Sequence, residues 1–353
     1  MLQYVKNFLL NNFSNIKAPY SAQIELTLRC NGKCPFCSIH SLPSSVIGKD
    51  MTTDQIKDLI DQIADLGVLA LSFTGGEPTL RKDLPDLIYH TGVVHNFMNG
   101  IASNGYLLPQ LLKKNRLEGL DYALLSLDYP KAELHDKWRG IKTFDKVIES
   151  IKLTNKYDIK PIISTVVMKD NIHFLKEMCE LAENLDCSIE IYPCEDIIRD
   201  FSEKHYQIDD INDLIPNISL WANIIRSLKK NFKNILTDAI SIEVVEKGGF
   251  GGHPLYHQKI LRCHVAESYI FISHDGLVHY PCKIHPVKSF NALEHPLSTI
   301  YNSAEVRGIM KNHDNYEFCD NCRLGCAIAS SIPTRWKTVY AKYIKGFLDG
   351  NLR

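Results

Sequence analysis

Between residues 22 and 193, short strand-like runs alternate with amphipathic helical stretches, and few folds accept that pattern. The strand candidates are 23–27, 70–74, 99–103, 122–127, 162–168 and 188–192. Between the first two, Ile56, Leu59, Ile60 and Ile63 recur at helical spacing, with Thr52 and Thr53 as candidate N-caps and Gly67 as a stop signal. Such alternation implies βαβ units and a parallel sheet. Six of them make an α/β fold of the partial (β/α)6 TIM-like barrel type, with its chemistry expected at the C-terminal ends of the strands.

Beyond the barrel core the signals thin out. Residues 194–245 are mostly helical in pattern, and the run Gly248-Gly249-Phe250-Gly251-Gly252 marks a boundary. The expected division is an N-terminal amphipathic helix at 1–21, a barrel domain at 22–245 with its core at 22–193, a small cysteine-rich domain at 246–332 and a C-terminal amphipathic helix at 333–353. No internal repeat or low-complexity segment is present. Lysine and arginine number 40 against 41 acidic residues, so no global charge favours nucleic acid, and none is expected as a partner. The chain has neither a membrane-spanning apolar run nor a secretory leader pattern, so a cytoplasmic location is expected.

Eleven cysteines are many for such a chain, and eight of them fall in two clusters. In a large protein without a leader, clustering points to metal rather than disulfides. Cys179, Cys187 and Cys194 are scattered and read as buried structural thiols. The first cluster, Cys30-Asn31-Gly32-Lys33-Cys34-Pro35-Phe36-Cys37, follows the first strand. One loop can wrap these three thiolates around an iron–sulfur cluster and leave one iron open for a small molecule. Zinc, with His40 as a fourth ligand, is the competing reading of the spacing.

The CxxxCxxC loop, with Phe36 before its last cysteine, resembles the signature of the radical S-adenosylmethionine (SAM) superfamily. The second strand candidate runs into Gly75-Gly76-Glu77-Pro78, which resembles that family's GGEP segment. Further matches fall in order: Ser103-Asn104-Gly105, Ser126-Leu127-Asp128, and His135-Asp136 with Arg139-Gly140 and Thr143-Phe144. The resemblance covers residues 22–193. It implies a 4Fe–4S cluster on Cys30, Cys34 and Cys37, and SAM contacted by Phe36, Gly75, Gly76, Glu77, Pro78, Ser103, Asn104, Ser126, Asp128 and Arg139. The amino and carboxylate groups of SAM would bind the open iron, with Arg139 near the carboxylate. One electron, from a donor such as ferredoxin or flavodoxin, would then release a 5′-deoxyadenosyl radical that abstracts a substrate hydrogen atom.

The second cluster comprises Cys263, Cys282, Cys319, Cys322 and Cys326, with a hairpin expected at Asp275-Gly276 before Cys282. This order resembles the twitch and SPASM modules that extend radical SAM barrels. Five cysteines favour one auxiliary 4Fe–4S cluster on Cys263, Cys282, Cys319 and Cys322, with Cys326 as a substitute or an unligated neighbour. A zinc ribbon is the alternative. His253, His257, His264, His274, His279 and His285 crowd the same module and read as mainly exposed or structural.

Leu2, Val5, Phe8, Leu9, Phe13 and Ile16 share one helical face, and Trp336, Tyr340, Tyr343 and Phe347 recur at steps of four, three and four among Lys337, Lys342 and Lys345. Both helices are expected to dock these faces on the barrel. The alternative is peripheral contact with a membrane, which would suit a lipid or isoprenoid substrate. The substrate classes implied are therefore a peptide or protein, a small metabolite, or a lipid chain. The reading from another class is a non-catalytic iron–sulfur or zinc-binding protein.

Overall fold

The computed structural model describes residues 2–14, 16–48, 50–114, 117–195, 199–201, 204–206, 211–253, 261–312, 315–320 and 322–332, with the side chains of residues 40, 41, 46, 199–201, 204–206 and 326 outside that description. Six parallel strands lie side by side in chain order: β1 (Ser21–Glu25), β2 (Ala70–Thr74), β3 (Met98–Ser103), β4 (Tyr122–Ser126), β5 (Lys160–Val167) and β6 (Ser188–Pro193). The sheet is not closed, which agrees with a partial barrel. Alternation along the strands separates two faces. Ile24, Leu71, Phe73, Ile101, Leu125, Ile163, Ile189 and Ile191 are buried under the helices. The positions between them, including Gln23, Ser72, Ser126, Ser164, Glu190 and Tyr192, are half-buried and mostly polar, so the inner wall is built to meet a ligand.

The longer helices up to β6 are α1 (Leu2–Phe13), α2 (Thr53–Asp65), α3 (Leu84–Tyr89), α4 (Leu108–Lys113), α5 (Ala132–Arg139), α6 (Phe144–Lys156) and α7 (Leu175–Asn184). After β6 come a two-stranded ribbon, β7 (Arg199–Phe201) and β8 (Lys204–Tyr206), and then α8 (Ile218–Asn231) and α9 (Ala239–Glu246). The ribbon departs from the mostly helical expectation for this stretch. Helix α2 shows how local chemistry sets an element. The Thr52 hydroxyl accepts from Gln55 N at 3.2 Å while Gln55 Oε1 accepts from Thr52 N at 2.8 Å. This capping box contributes about 1 kcal/mol, and Ile56, Leu59, Ile60 and Ile63 are fully buried beneath it.

The cysteine-bearing module continues the barrel sheet. Strand β9 (Tyr269–Ile272) pairs in parallel with β1, and β10 (Leu277–Tyr280) and β11 (Lys288–Asn291) extend it by antiparallel pairing, in the order β11-β10-β9-β1-β2-β3-β4-β5-β6. Gly276, at φ +85°, turns the expected hairpin between β9 and β10. Helix α10 (Gly325–Ser331) ends the described chain.

The N-terminal helix corrects an expectation. Its buried residues are Asn7 and Asn11, whereas Leu2, Val5, Leu9 and Phe13 are exposed. The backbone entering β1 and β2 carries carbonyls that need donors. Asn7 Nδ2 donates to Pro19 O at 3.0 Å and Gly67 O at 2.9 Å, and Asn11 Nδ2 donates to Ala18 O at 2.7 Å. Satisfying buried carbonyls outweighs burial of the apolar stripe, so the helix docks by its polar side. The corresponding call on 333–353 lies outside the described residues.

Close backbone approach explains the paired glycines after β2. Gly75 has φ +147°, Gly76 N donates to Thr27 O at 2.7 Å, and Glu77 N donates to Arg29 O at 2.8 Å. A Cβ on Gly76 would lie 2.3 Å from Arg29 O. Gly76→Ala should therefore cost about 1–3 kcal/mol. Thermal or denaturant unfolding of the purified variant checks this, and an unchanged midpoint would contradict the contact.

Candidate active site

The first cysteine loop begins where the β1–β2 pairing ends and is tied to three other strand ends. Gly32 N approaches Cys30 Sγ at 3.4 Å, Cys37 N donates to Cys34 O at 3.1 Å, and Lys33 N donates to Arg139 O at 2.7 Å. Burial pushes the Cys30 thiol up to about 11 and also raises Cys34, against the opposing pull of Arg139. Fully buried Glu77 lies behind the loop. Its Oε1 accepts from Thr79 N at 3.1 Å, Thr79 Oγ1 at 2.5 Å and Ser103 Oγ at 2.8 Å, and its Oε2 accepts from Asn104 N at 2.7 Å. Burial raises the Glu77 carboxyl, with these hydrogen bonds opposing. Asn104 Nδ2 in turn donates to Asn31 Oδ1 at 2.7 Å, inside the cysteine loop. Pro78 opens the short turn that Glu77 caps.

Asp128 and Arg139 form a buried ion pair, with Arg139 Nε 2.7 Å from Asp128 Oδ2. Asp128 Oδ1 accepts from Val166 N at 3.0 Å. The guanidinium reaches Cys34 Sγ at 3.8 Å through Nη1 and lies 5.3 Å from the Phe36 ring centroid. His135 supports the pair from behind. Its Nδ1 accepts from Asp128 N at 3.2 Å, so Nε2 carries the proton and donates to Thr143 Oγ1 at 3.1 Å. Burial lowers His135 to about 4, which keeps it neutral. Ser126 is half-buried at the end of β4.

Cys263, Cys282 and Cys322 gather around a small apolar cluster of Val265, Ile284, Leu324 and Ala327, and Cys319 is close enough to Cys263 to disfavour its thiolate. Burial pushes Cys263 up to about 12 and raises Cys322, to which nearby Glu195 adds. No disulfide joins any of the ten cysteines whose side chains are described. Cys179, Cys187 and Cys194 are buried, as expected of structural thiols. Among the histidines, His253 and His274 are buried, His264 faces Glu267, His279 meets Ser289 and His285 stacks on Phe318. His257 lies outside the described residues.

A cavity of about 310 Å³ opens between the two cysteine groups. Phe36 and Cys37 line one side, Arg323 and Gly325 the other, with Ser164, Glu190 and Tyr192 of the inner barrel wall between. Glu190 Oε1 accepts from Ser164 Oγ at 2.8 Å, and burial raises its carboxyl against that hydrogen bond. Arg323 N donates to Glu195 Oε1 at 2.9 Å, and a Cβ on Gly325 would lie 2.8 Å from the Tyr192 ring. Sequence reasoning missed these wall residues. The available signal was a glutamate at an inner-face position between Ile189 and Ile191.

Comparison with known proteins agrees with this geometry. The model of the radical SAM superfamily matches residues 24–182, and that of the SPASM iron–sulfur cluster-binding domain matches residues 263–323. An AdoMet-dependent heme synthase of Methanosarcina barkeri is 30% identical over 312 residues, covering 82% of this chain and 84% of that one. A PqqA peptide cyclase of Bradyrhizobium diazoefficiens is 32% identical over 169 residues, covering 48% of this chain and 44% of the relative. Among solved structures, native anSMEcpe with bound AdoMet gives a TM-score of 0.59 at 17% identity, over 94% of this chain and 98% of that one. Streptococcus suis SuiB bound to S-adenosylmethionine gives 0.61 at 18%, over 83% and 68%. At those identities the structures support the fold alone.

The chain belongs to the radical SAM superfamily and carries a SPASM-type iron–sulfur domain. It is an enzyme, and the cofactors of its class are a 4Fe–4S cluster, SAM and an auxiliary cluster. The donor sets fit: each site gathers half-buried cysteines outside any disulfide, and the first leaves room for a ligand beside it.

Two outcomes test the support around Cys34. Arg139→Ala leaves the Asp128 carboxylate buried and unpaired, which should cost about 3–5 kcal/mol by denaturant unfolding; adding Asp128→Asn should recover part of that loss. His135 titrates near 4 when folded, below its ordinary value of 6.5. Its contribution is therefore complete above about pH 6.5 and is lost as pH falls towards 4. The thermal midpoint of His135→Gln should fall less between pH 7.5 and 5 than that of the unsubstituted protein.

Proposed function

We propose that Cys30, Cys34 and Cys37 hold the SAM-binding 4Fe–4S cluster, and that the substrate is a peptide side chain or a small metabolite held in the cleft between this loop and Arg323. The observation that carries the proposal is the position of that cleft. It touches Cys37 on one side and the residue after Cys322 on the other, along the polar inner wall of the barrel. Bound at the first site, the cluster and SAM together supply a 5′-deoxyadenosyl radical by reductive cleavage of the sulfur–C5′ bond.

The chain's own residues position and shield. Glu77 has most of its acceptor capacity occupied by Thr79, Ser103 and Asn104, and Asn104 in turn holds Asn31 of the cysteine loop, so Glu77 acts as a positioning residue. Asp128 acts in the same way, holding Arg139 beside Cys34 with both carboxylate oxygens engaged. Gly75, Gly76 and Pro78 bring backbone close to the loop, and Phe36, Ser126 and Asn104 complete the surface that faces SAM. Glu190, raised by burial and held by Ser164, is placed to bind a cationic or hydrogen-bonding group of the substrate. A volume of about 310 Å³ suits a small ligand or one side chain.

Cys263, Cys282, Cys319 and Cys322 are the proposed auxiliary-cluster ligands, and a ferredoxin or flavodoxin the proposed electron donor. Relatives whose names specify a heme synthase and a peptide cyclase support both substrate classes, and the heme synthase matches over more of this chain.

Anaerobically reconstituted protein should hold about eight irons per chain, from two four-iron clusters, and should form 5′-deoxyadenosine from SAM with dithionite. Cys34→Ala should abolish that product, and its near-normal formation would overturn the assignment. A variant lacking Cys30, Cys34 and Cys37 should keep about four irons; zinc in their place would make the second site structural.

A further inference from the structure

Away from the cleft and both cysteine groups, three more metal-binding side chains converge. Asp61, near the end of α2, meets two imidazoles on a single oxygen. His90 Nε2 lies 2.6 Å and His95 Nε2 2.7 Å from Asp61 Oδ1. The two rings stand edge to face with centroids 5.0 Å apart, and the three donor atoms lie within 4.8 Å of one another. The Asp61 side chain is 53% exposed, that of His90 20% and that of His95 23%, so the group sits at the surface with one side open to water.

The backbone departs from regular helix to bring the imidazoles together. Residues five apart on an α-helix point about 140° away from each other. Here the chain leaves α3 through a π turn, His90–Val94, closed by His95 N donating to His90 O at 3.3 Å. A bond between residues five apart spans one full turn, so His95 returns to the side of His90. The turn is firmly seated. Thr91 Oγ1 donates to Leu87 O at 2.8 Å, Asn99 Nδ2 donates to Ile88 O at 3.1 Å, and Gly92 packs on the Gly119 backbone with no room for a side chain. His95 also lies against buried Phe97, with ring centroids 6.0 Å apart. On the facing helix, buried Ile56, Ile60 and Ile63 fix the rotation that aims Asp61 at the turn.

We propose that Asp61, His90 and His95 bind one divalent transition-metal ion of the zinc type, separate from both cysteine groups, and that this ion clips α2 to the turn before β3. Two imidazoles with one carboxylate select such an ion over calcium or magnesium, which take oxygen ligands. As a hydrogen-bonded group the three are over-supplied, because two imidazole donors crowd one oxygen; an ion at their centre takes one lone pair from each. Ligands of a tetrahedral zinc ion lie about 3.3–3.5 Å apart, so the pairs at 2.6 and 2.7 Å have to open by less than an ångström. Asp61, the most exposed of the three, has the room for that shift. Asp58, Asp65 and Lys57 lie within about one turn of it and add a net negative charge. The fourth position faces solvent and takes water. Helix α2 leads into β2 and the turn into β3, so the site is at the end of the barrel opposite the Cys30–Cys37 loop. The ion therefore acts on the stability of this helical layer and not on the radical chemistry.

The test is equilibrium dialysis of reconstituted holoenzyme, with its iron sites filled, against micromolar zinc sulfate. The unsubstituted chain should hold one more zinc than the double variant His90→Ala with His95→Ala. Zinc should also raise its thermal midpoint by a few degrees and leave that of the double variant where it was. Asp61→Asn keeps an oxygen acceptor for the imidazoles but removes the charge. Since even partners outside the coordination shell are worth about tenfold in metal affinity, it should weaken zinc binding by at least that factor. Iron content and 5′-deoxyadenosine formation of the variants should match the unsubstituted holoenzyme, which makes the lost zinc a lost site and not a lost fold. Equal zinc content in the unsubstituted and double-variant proteins overturns the proposal, as does a zinc-dependent midpoint shift that survives in the double variant.

Discussion

The ion pair of Asp128 and Arg139 is the interaction on which the cysteine loop depends. A buried pair is tolerable only when its remaining hydrogen-bonding groups are satisfied. Here Val166 N completes the carboxylate, and the backbone around Asp128 is held by His135 and Asn171. The guanidinium then links what the strands alone do not: Asp128 after the end of β4, helix α5 and the loop carrying Cys34. A lysine could not replace it. Nε engages Asp128 while Nη1 reaches Cys34 and the planar head lies over Phe36, a division of labour that needs a rigid fork. Arg139 O also receives Lys33 N, so both the head and the backbone of one residue set the loop.

The cysteine-bearing module meets both sides of the open barrel. On one side β9 adds to β1, and Tyr269 OH donates to Gln23 Oε1 at 2.9 Å on the inner wall. On the other, Arg323 N bonds Glu195 and Gly325 packs on Tyr192 at the end of β6. A six-stranded wall leaves a gap between its edges, and the module spans that gap with the segment next to Cys322. Gly249 belongs to the same fit: at φ +88°, a Cβ there would lie 3.1 Å from both Cys322 N and O. The glycine-rich run that reads as a boundary thus also gives the CxxC loop room to pack.

Much of this was legible because it is local. Alternation marked all six barrel strands to within a few residues, and Thr52, Gly67 and Gly276 worked as the punctuation they resemble. The motif residues converge because each follows a strand of a parallel sheet, which sends every such loop to one end. What sequence could not reveal is non-local. The pairing of β9 with β1 joins residues separated by most of the chain. The cleft wall depends on which inner-face side chains meet the returning module. The polarity of α1 is the sharpest case: periodicity identifies its two faces, but which one docks depends on carbonyls at Pro19 and Gly67 that no window of the helix contains.

On the proposed ligand assignment, the two cysteine groups differ in how much they rely on their metal. Burial holds the described thiols of both above their ordinary range where a shift is resolved, so loading either site must displace protons. The first group has three cysteines with Arg139 beside Cys34, so part of the charge left by deprotonation is already balanced. The second has four, and the nearby carboxylate of Glu195 adds to the opposition at Cys322. The barrel loop is also held by the Arg139, Glu77 and Thr27 contacts without any metal, whereas the second group lies against a small cluster of Val265, Ile284, Leu324 and Ala327 among the described residues. The segment carrying Cys319 and Cys322 meets so small a cluster that its order depends on the group its thiolates would hold, while the rest of the module shares the barrel's core through Leu261, Ile270, Ile272, Val278 and Ile328. Loss of that group would therefore loosen the Arg323 side of the cleft before it disturbed the barrel.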